Sequence, residues 1–114
     1  MPYISTHVST PLPKTREERI KEALGRAIQL IPGKSEAWLM TEFQDHCRLY
    51  FRGKDDAPTA FVEVKAYGSL EAASAEALTA AICEILKAEL GIAPDHVYVK
   101  YEACQLWGWN GGNF

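Results

Sequence analysis

Apolar and polar residues alternate along the first segment, PYISTHV, which is rich in β-branched side chains. This alternation is typical of a strand with one buried face. Thr15 and Glu18 then form a capping-box pattern that predicts a helix start, and Pro32-Gly33 predicts its end. Between these signals, apolar residues recur at helical spacing: Ile20, Ala23, Leu24, Ala27, Ile28 and Ile31.

The middle of the chain predicts two further strands and a loop. The stretch AWLMTEF reads as a strand, CRLYF as a shorter strand, and RGKDDAP as the loop that follows. The second half then repeats the order of the first: AFVEVKAYG predicts a strand, Ser69 opens an alanine-rich helix that ends at Gly91, and HVYVKYEA predicts a closing strand. One face of this second helix is apolar: Leu78, Ile82, Ile85, Leu86 and Leu90.

A strand–helix–strand order that occurs twice predicts an α/β fold. More narrowly, it predicts an α+β sandwich, a tandem β-α-β repeat with two helices packed on one face of a mixed sheet. The chain has 114 residues, 47% of them hydrophobic, which is enough for a single domain over residues 1–114. The closing WGWNGGNF is turn-rich and aromatic, and is suited to capping a neighbouring surface.

Charge and composition exclude several classes of partner. Twelve basic and fifteen acidic residues give a net charge of −3, without a basic run, so neither nucleic acid nor an acidic membrane surface is expected to bind. No segment resembles a signal peptide or a membrane span, which predicts a cytoplasmic protein, with non-classical secretion left open.

The cysteines and histidines do not form a ligand pattern. Three cysteines, Cys47, Cys83 and Cys104, lack C-x-x-C spacing and are interpreted as packing residues. Three histidines are scattered singly along the chain. The sequence therefore predicts neither a metal site nor a cofactor.

The proline that follows Met1 has two interpretations. Proline is tolerated near a terminus, where no backbone N–H is needed. If Met1 is removed, however, Pro2 becomes an N-terminal secondary amine that can act as a base.

Pro2 at the start of a strand, Gly33-Lys34 after the first helix, and the tail APDHVYVKYEACQLWGWNGGNF together resemble the tautomerase superfamily, most closely its macrophage migration inhibitory factor branch. The resemblance runs the full length of the chain. It implies a homotrimer whose sheets enclose a central channel, with three active sites at the subunit boundaries. In such sites the processed proline is the general acid and base.

The resemblance also implies roles for single residues. Lys34 falls on a substrate-binding lysine, Tyr67 on an isoleucine whose backbone N–H contacts substrate, and Tyr98 on an aromatic wall residue. Lys100 stands where the family's best-known member has asparagine, which makes the far end of the pocket more cationic and favours anionic or acidic-tailed substrates. Trp109 and Tyr98 would take an aryl side chain.

The same residues also have structural interpretations. Lys34 is a cation of the kind favoured at a helix C-terminus, and Tyr98 and Trp109 are suited to core or interface packing. Two replacements, Lys65 for a histidine and Tyr67 for the isoleucine, reshape the pocket edge.

Proton transfer between carbon and oxygen of a 2-keto acid needs a base whose pKa is near the working pH. Burial beside aromatic residues and nearby lysines would lower the pKa of a Pro2 amine toward that range. The sequence thus predicts an isomerase, a phenylpyruvate-type keto–enol tautomerase. Two alternatives stay open: a cytokine-like factor with a vestigial pocket and a protein receptor, and a hydratase or dehalogenase of small unsaturated acids, which usually has arginines beside its site.

Overall fold

The computed structural model describes all residues from 1 to 114. The regular elements alternate between strands and helices, and a small hairpin closes the chain. Their bounds are β1 Pro2–Val8, α1 Lys14–Ala27, β2 Met40–Gln44, β3 Ala60–Tyr67, α2 Ala72–Leu90, β4 Val97–Cys104, β5 Gly108–Trp109 and β6 Gly112–Asn113. Short 3-10 turns lie at Ile28–Leu30, Glu36–Trp38 and Pro94–His96.

The four long strands form one mixed sheet in the order β2-β1-β3-β4. β1 is parallel to β2 and β3 is parallel to β4, while β1 and β3 are antiparallel to one another in the centre. Each parallel pair is joined by a helix, as a parallel connection requires. The two β-α-β units are therefore arranged as if by a twofold axis between β1 and β3, which confirms the predicted tandem repeat.

The core lies between the sheet and the two helices. Strand β3 alternates strictly between buried and half-buried side chains, because successive residues point to opposite faces. The buried positions of β1 and β3 meet the apolar stripes of α1 and α2. The fully buried side chains include Ile4, Val62, Val64, Ile20, Leu24, Leu78, Ile82 and Leu86.

Both helices begin at a different residue from the predicted one. α1 starts at Lys14, with Pro13 as its N-cap and no side-chain capping bond, so the predicted capping box at Thr15 is wrong. Proline fixes an extended residue just before the first turn and needs no N–H there. α2 starts at Ala72 rather than at Ser69.

The predicted end of α2 is confirmed. Gly91 adopts a left-handed conformation with φ 67°. Its N–H donates to the carbonyl of Lys87, and the N–H of Ile92 donates to that of Leu86. The bond from Gly91 is the 5→1 bond of the αL motif, and together the two bonds satisfy carbonyls in the last turns of the helix.

The stretch CRLYF is not a strand, and that prediction is wrong. The N–H of Cys47 still bonds the carbonyl of Val8, but the chain then leaves the sheet edge and turns back at Arg52 and Gly53, both at positive φ. Phe51 packs against the rings of His96 and Tyr98 rather than on a neighbouring strand. Alternation alone cannot show whether a free sheet edge is within reach.

The C-terminal segment forms the β5-β6 hairpin and folds back on the end of the sheet. Trp109 and Phe114 stack with ring centroids 6.1 Å apart, and Phe114 also packs against Tyr67 at 5.6 Å. No helix has the length and apolar character needed to cross a membrane.

Candidate active site

Pro2 lies buried at one end of the sheet, as the first residue of β1. It is paired with Ala66 near the end of β3, and β2 begins beside Tyr3. The start of β1, the start of β2 and the end of β3 therefore meet at Pro2. The neighbouring surface is supplied by the segment that leads into β2 and by the C-terminal hairpin.

Lys34 reaches this sheet end from the turn after α1. Gly33, at φ 80°, lets the chain reverse, and the N–H of Lys34 then donates to the carbonyl of Ile31. The Lys34 Nζ donates a hydrogen bond of 2.8 Å to the Tyr67 carbonyl. This bond holds the ammonium group beside the end of β3.

Tyr67 also donates its own N–H, to the Met1 carbonyl at 3.0 Å. The Met1 carbonyl oxygen stands where the oxygen of a bound small molecule could accept this bond. Removal of Met1 would take away that acceptor and leave the Tyr67 N–H free, next to the nitrogen of Pro2. The site would thus gain an amine and a hydrogen-bond donor in one step.

An amine at this end of the sheet has a lowered pKa. The pKa of the Met1 amino group lies below its ordinary value of 8.0, first because burial disfavours the ammonium form. The Lys34 ammonium lowers the pKa further by repulsion and by hydrogen bonding. Pro2, the next residue in the chain, is more deeply buried than Met1.

A cavity of about 690 Å³ opens beside Pro2. Most of its wall is apolar, and Trp38 and Trp109 meet edge to face with ring centroids 4.9 Å apart. A wall of this kind is suited to an aryl group. The lining residues are Met1, Pro2, Tyr3, Ala37, Trp38, Leu39, Met40, Lys65, Trp107, Gly108 and Trp109.

Four of the predicted site residues come together within one chain: Pro2, Lys34, Tyr67 and Trp109. Pro2 and Trp109 line the cavity, Lys34 contacts Tyr67, and the Tyr67 ring joins Trp109 through Phe114. The Lys34 ammonium lies at the end of β3, and Pro2 lies at the adjacent end of β1.

Tyr98 and Lys100 lie elsewhere in the chain. Tyr98 pairs with Phe61 and Lys100 with Glu63, whereas Pro2 pairs with Ala66. At about 3.3 Å per residue, these pairs lie roughly 16 and 10 Å from Pro2 along the strand direction. Lys100 forms an ion pair of 3.2 Å with Glu102, and Tyr98 is 61% exposed. Tyr98 and Lys100 do not line the cavity of their own chain.

Most of the lining residues were not among the predicted site residues, Trp38 and Met40 among them, and neither was the neighbouring Phe114. Trp38 and Met40 belong to AWLMTEF, where the apolar run favoured a strand. The contact of Trp38 with Trp109 is long-range and leaves no local signal. Lys65, predicted only to reshape the pocket edge, lines the cavity itself.

The lining contains no carboxylate, histidine, cysteine or arginine. Nowhere in the chain do three His, Cys, Asp or Glu side chains lie together in a way that could hold a metal ion. The groups available for chemistry at this end are an amine with a lowered pKa, lysine ammonium groups and a backbone N–H. Such a set can move a proton and bind an anion.

Known proteins share this architecture over the whole chain. The family model of macrophage migration inhibitory factor (MIF) matches residues 1–114. The crystal structure of Leishmania major MIF2 is 32% identical, covering 100% of this chain and 97% of that one, with a TM-score of 0.92. The MIF homologue from Prochlorococcus marinus is 31% identical over 98% of both chains, with a TM-score of 0.87.

A more distant structure, the MIF-like protein of Entamoeba histolytica, is 20% identical over 99% of this chain and 98% of its own. Its TM-score of 0.88 shows the same fold. Comparison with curated proteins gave no significant match. The family model and the two structures above 30% identity agree, so this chain belongs to the macrophage migration inhibitory factor family and has its tautomerase fold.

Proposed function

We propose that this protein is a keto–enol tautomerase of phenylpyruvate-type 2-keto acids, with Pro2 as general acid and base once Met1 is removed. The observation that carries the proposal is the cluster of Pro2, Lys34 and the Tyr67 N–H beside an aromatic cavity. Family membership supports an isomerase, and the cluster supports this type of substrate.

The proposed base is the Pro2 nitrogen. Burial and the Lys34 charge lower the pKa of the Met1 amino group, and we expect both to disfavour the ammonium form of a Pro2 amine in the same way. The neutral amine removes a proton from C3 of the keto acid, and the electron pair of that bond forms the C2–C3 double bond. The carbonyl oxygen then takes a proton, which gives the enol without change in composition. The reverse sequence returns the keto form.

Lys34 and Tyr67 would hold the acidic end of the substrate. The Lys34 ammonium pairs with the carboxylate, while the freed Tyr67 N–H donates to an oxygen in place of the Met1 carbonyl. Donors fixed in this way stabilise negative charge as it develops on the enolate oxygen. The aryl group then lies toward Trp38 and Trp109.

The direct experiment is the ketonisation of phenylpyruvate enol by protein whose mass shows that Met1 is absent. The rate is measured as the loss of enol absorbance, and we expect it to be well above the rate in buffer alone. A processed, folded protein that does not accelerate the reaction would contradict the proposal and would favour the cytokine-like alternative.

The assembly we propose is a homotrimer. Edge strands β2 and β4 carry unpaired backbone groups, and five large apolar side chains are mostly exposed: Met40, Tyr50, Tyr98, Leu106 and Trp109. Closed rings cover surfaces of this kind. Tyr98 and Lys100 would then reach the cavity of a neighbouring copy.

Light scattering at micromolar concentration is expected to give three times the 12.7 kDa mass of one chain. The reason is that a domain this small gains buried apolar surface by association. A stable monomer would contradict the trimer and would remove Tyr98 and Lys100 from the site.

A further inference from the structure

A second lysine, Lys65, lines the cavity from strand β3. It lies two residues before Tyr67 on β3, so both side chains lie on the same face of the sheet, with Cα atoms about 7 Å apart. Lys65 is a cavity residue. Its Nζ lies 5.9 Å from the centroid of the Tyr3 ring, near the outer limit of a cation–π contact.

No carboxylate of the chain pairs with Lys65. Its neighbour on β4 is Glu102, which instead forms the ion pair with Lys100. Its neighbour on β1 is Tyr3, whose hydroxyl donates to Glu42. The cavity wall adds no acidic side chain. Lys65 therefore carries an uncompensated positive charge into a largely apolar cavity, where a cation gains by meeting an anion.

The two lysines differ in what holds them. Lys34 is fixed by its hydrogen bond to the Tyr67 carbonyl. The N–H of the same residue, Tyr67, donates to the Met1 carbonyl. Lys65 has only the Tyr3 ring and is free to turn toward a ligand. Pro2 lies at the end of β1 that is paired with this part of β3. Lys34 is thus placed for the reacting end of a substrate, and Lys65 for the tail of the substrate.

We infer that Lys65 binds a second acidic group, so that the site prefers 2-keto acids that carry a further carboxylate on the C3 substituent. This inference rests on the proposed function and narrows its substrate class. The sequence alone attributes the preference for acidic-tailed substrates to Lys100. We attribute it to Lys65 instead, because the charge of Lys100 is paired with Glu102. Lys65 is a specificity-determining residue here and takes no part in proton transfer.

The test compares the enols of phenylpyruvate and 4-carboxyphenylpyruvate, which share a skeleton and differ by one carboxylate. In Lys65→Met the ratio of kcat/KM for the dianion to that for the monoanion should fall roughly tenfold, the size of one charge-assisted hydrogen bond partly open to water. Lys65→Arg should keep most of the ratio. Lys21→Met, which removes an exposed lysine of α1 that does not line the cavity, is the matched control and should leave the ratio unchanged.

A binding measurement separates this inference from the tautomerase proposal. Binding of each acid can be followed without turnover by the fluorescence of the three tryptophans, all of which line the cavity: Trp38, Trp107 and Trp109. Selective loss of 4-carboxyphenylpyruvate binding in Lys65→Met would support the role of Lys65 even if the protein were catalytically silent. Equal loss for both acids, or no loss for either, would overturn it. Lys65→Gln provides a second neutral variant with a polar side chain.

Discussion

Protein that keeps Met1 is expected to ketonise phenylpyruvate enol 10²- to 10⁴-fold more slowly than processed protein, the range that general acid–base catalysis contributes. When Met1 is present, the Pro2 nitrogen belongs to an amide and has no basic lone pair. The Met1 carbonyl also accepts the hydrogen bond of the Tyr67 N–H, with an N···O distance of 3.0 Å. Both the base and the donor are then unavailable to a substrate.

The comparison needs two protein forms that differ only at the terminus. Inserting a glutamate between Met1 and Pro2 retains the methionine, because a bulky second residue blocks its removal. In the processed background, Pro2→Gly replaces the secondary amine by a flexible primary amine, and we expect a smaller loss of about 10²-fold. Rates that are equal in all three forms would show that the Pro2 nitrogen is not the base.

Lys34→Met is expected to lower kcat/KM for phenylpyruvate enol about 10- to 100-fold, the size of a lost hydrogen bond between charged groups. Lys34→Arg keeps the positive charge and should retain more of the activity. Circular dichroism would verify that each variant is folded. A Lys34→Met protein with unchanged kcat/KM would place the substrate carboxylate elsewhere and support the interpretation of Lys34 as an ordinary cation at a helix end.

The same pair of variants should differ in their pH profiles. The acidic limb of kcat/KM reports the pKa of the free base. Lys34 disfavours a neighbouring ammonium group and so lowers its pKa. Without that charge the pKa rises, and the limb moves to higher pH in Lys34→Met but not in Lys34→Arg. A limb that does not move would mean that Lys34 and the base are electrostatically independent.

The sequence predicts most of the fold because its signals are local. Alternation locates the long strands, and the left-handed glycine at Gly91 ends α2 where the pattern indicates. The errors occur where the outcome depends on distant parts of the chain. CRLYF has strand composition, but β2 already forms that edge of the sheet and the segment turns away toward Tyr98. The start of α1 follows Pro13 rather than the capping pattern of Thr15.

The candidate site was predictable only in part. Pro2, Lys34, Tyr67 and Trp109 are far apart along the chain, and the resemblance rather than any local pattern brought them together. Trp109 packs against both Trp38 and Phe114 and so connects them. No periodic pattern in the sequence predicts these contacts. Tyr98 and Lys100 remain predictions, since their roles depend on a neighbouring subunit.

The near-twofold arrangement of the two β-α-β units gives the sheet two comparable ends, one at the starts of β1 and β2 and the other at the starts of β3 and β4. A polypeptide has a single amino terminus, so a terminal base can serve only one of them. With Pro2 as the base that we propose, the chemistry belongs to one end of the sheet, and the other end, where Tyr98 lies, has no terminal amine. A circular permutant that begins at Ala60 would carry its amine to that second end.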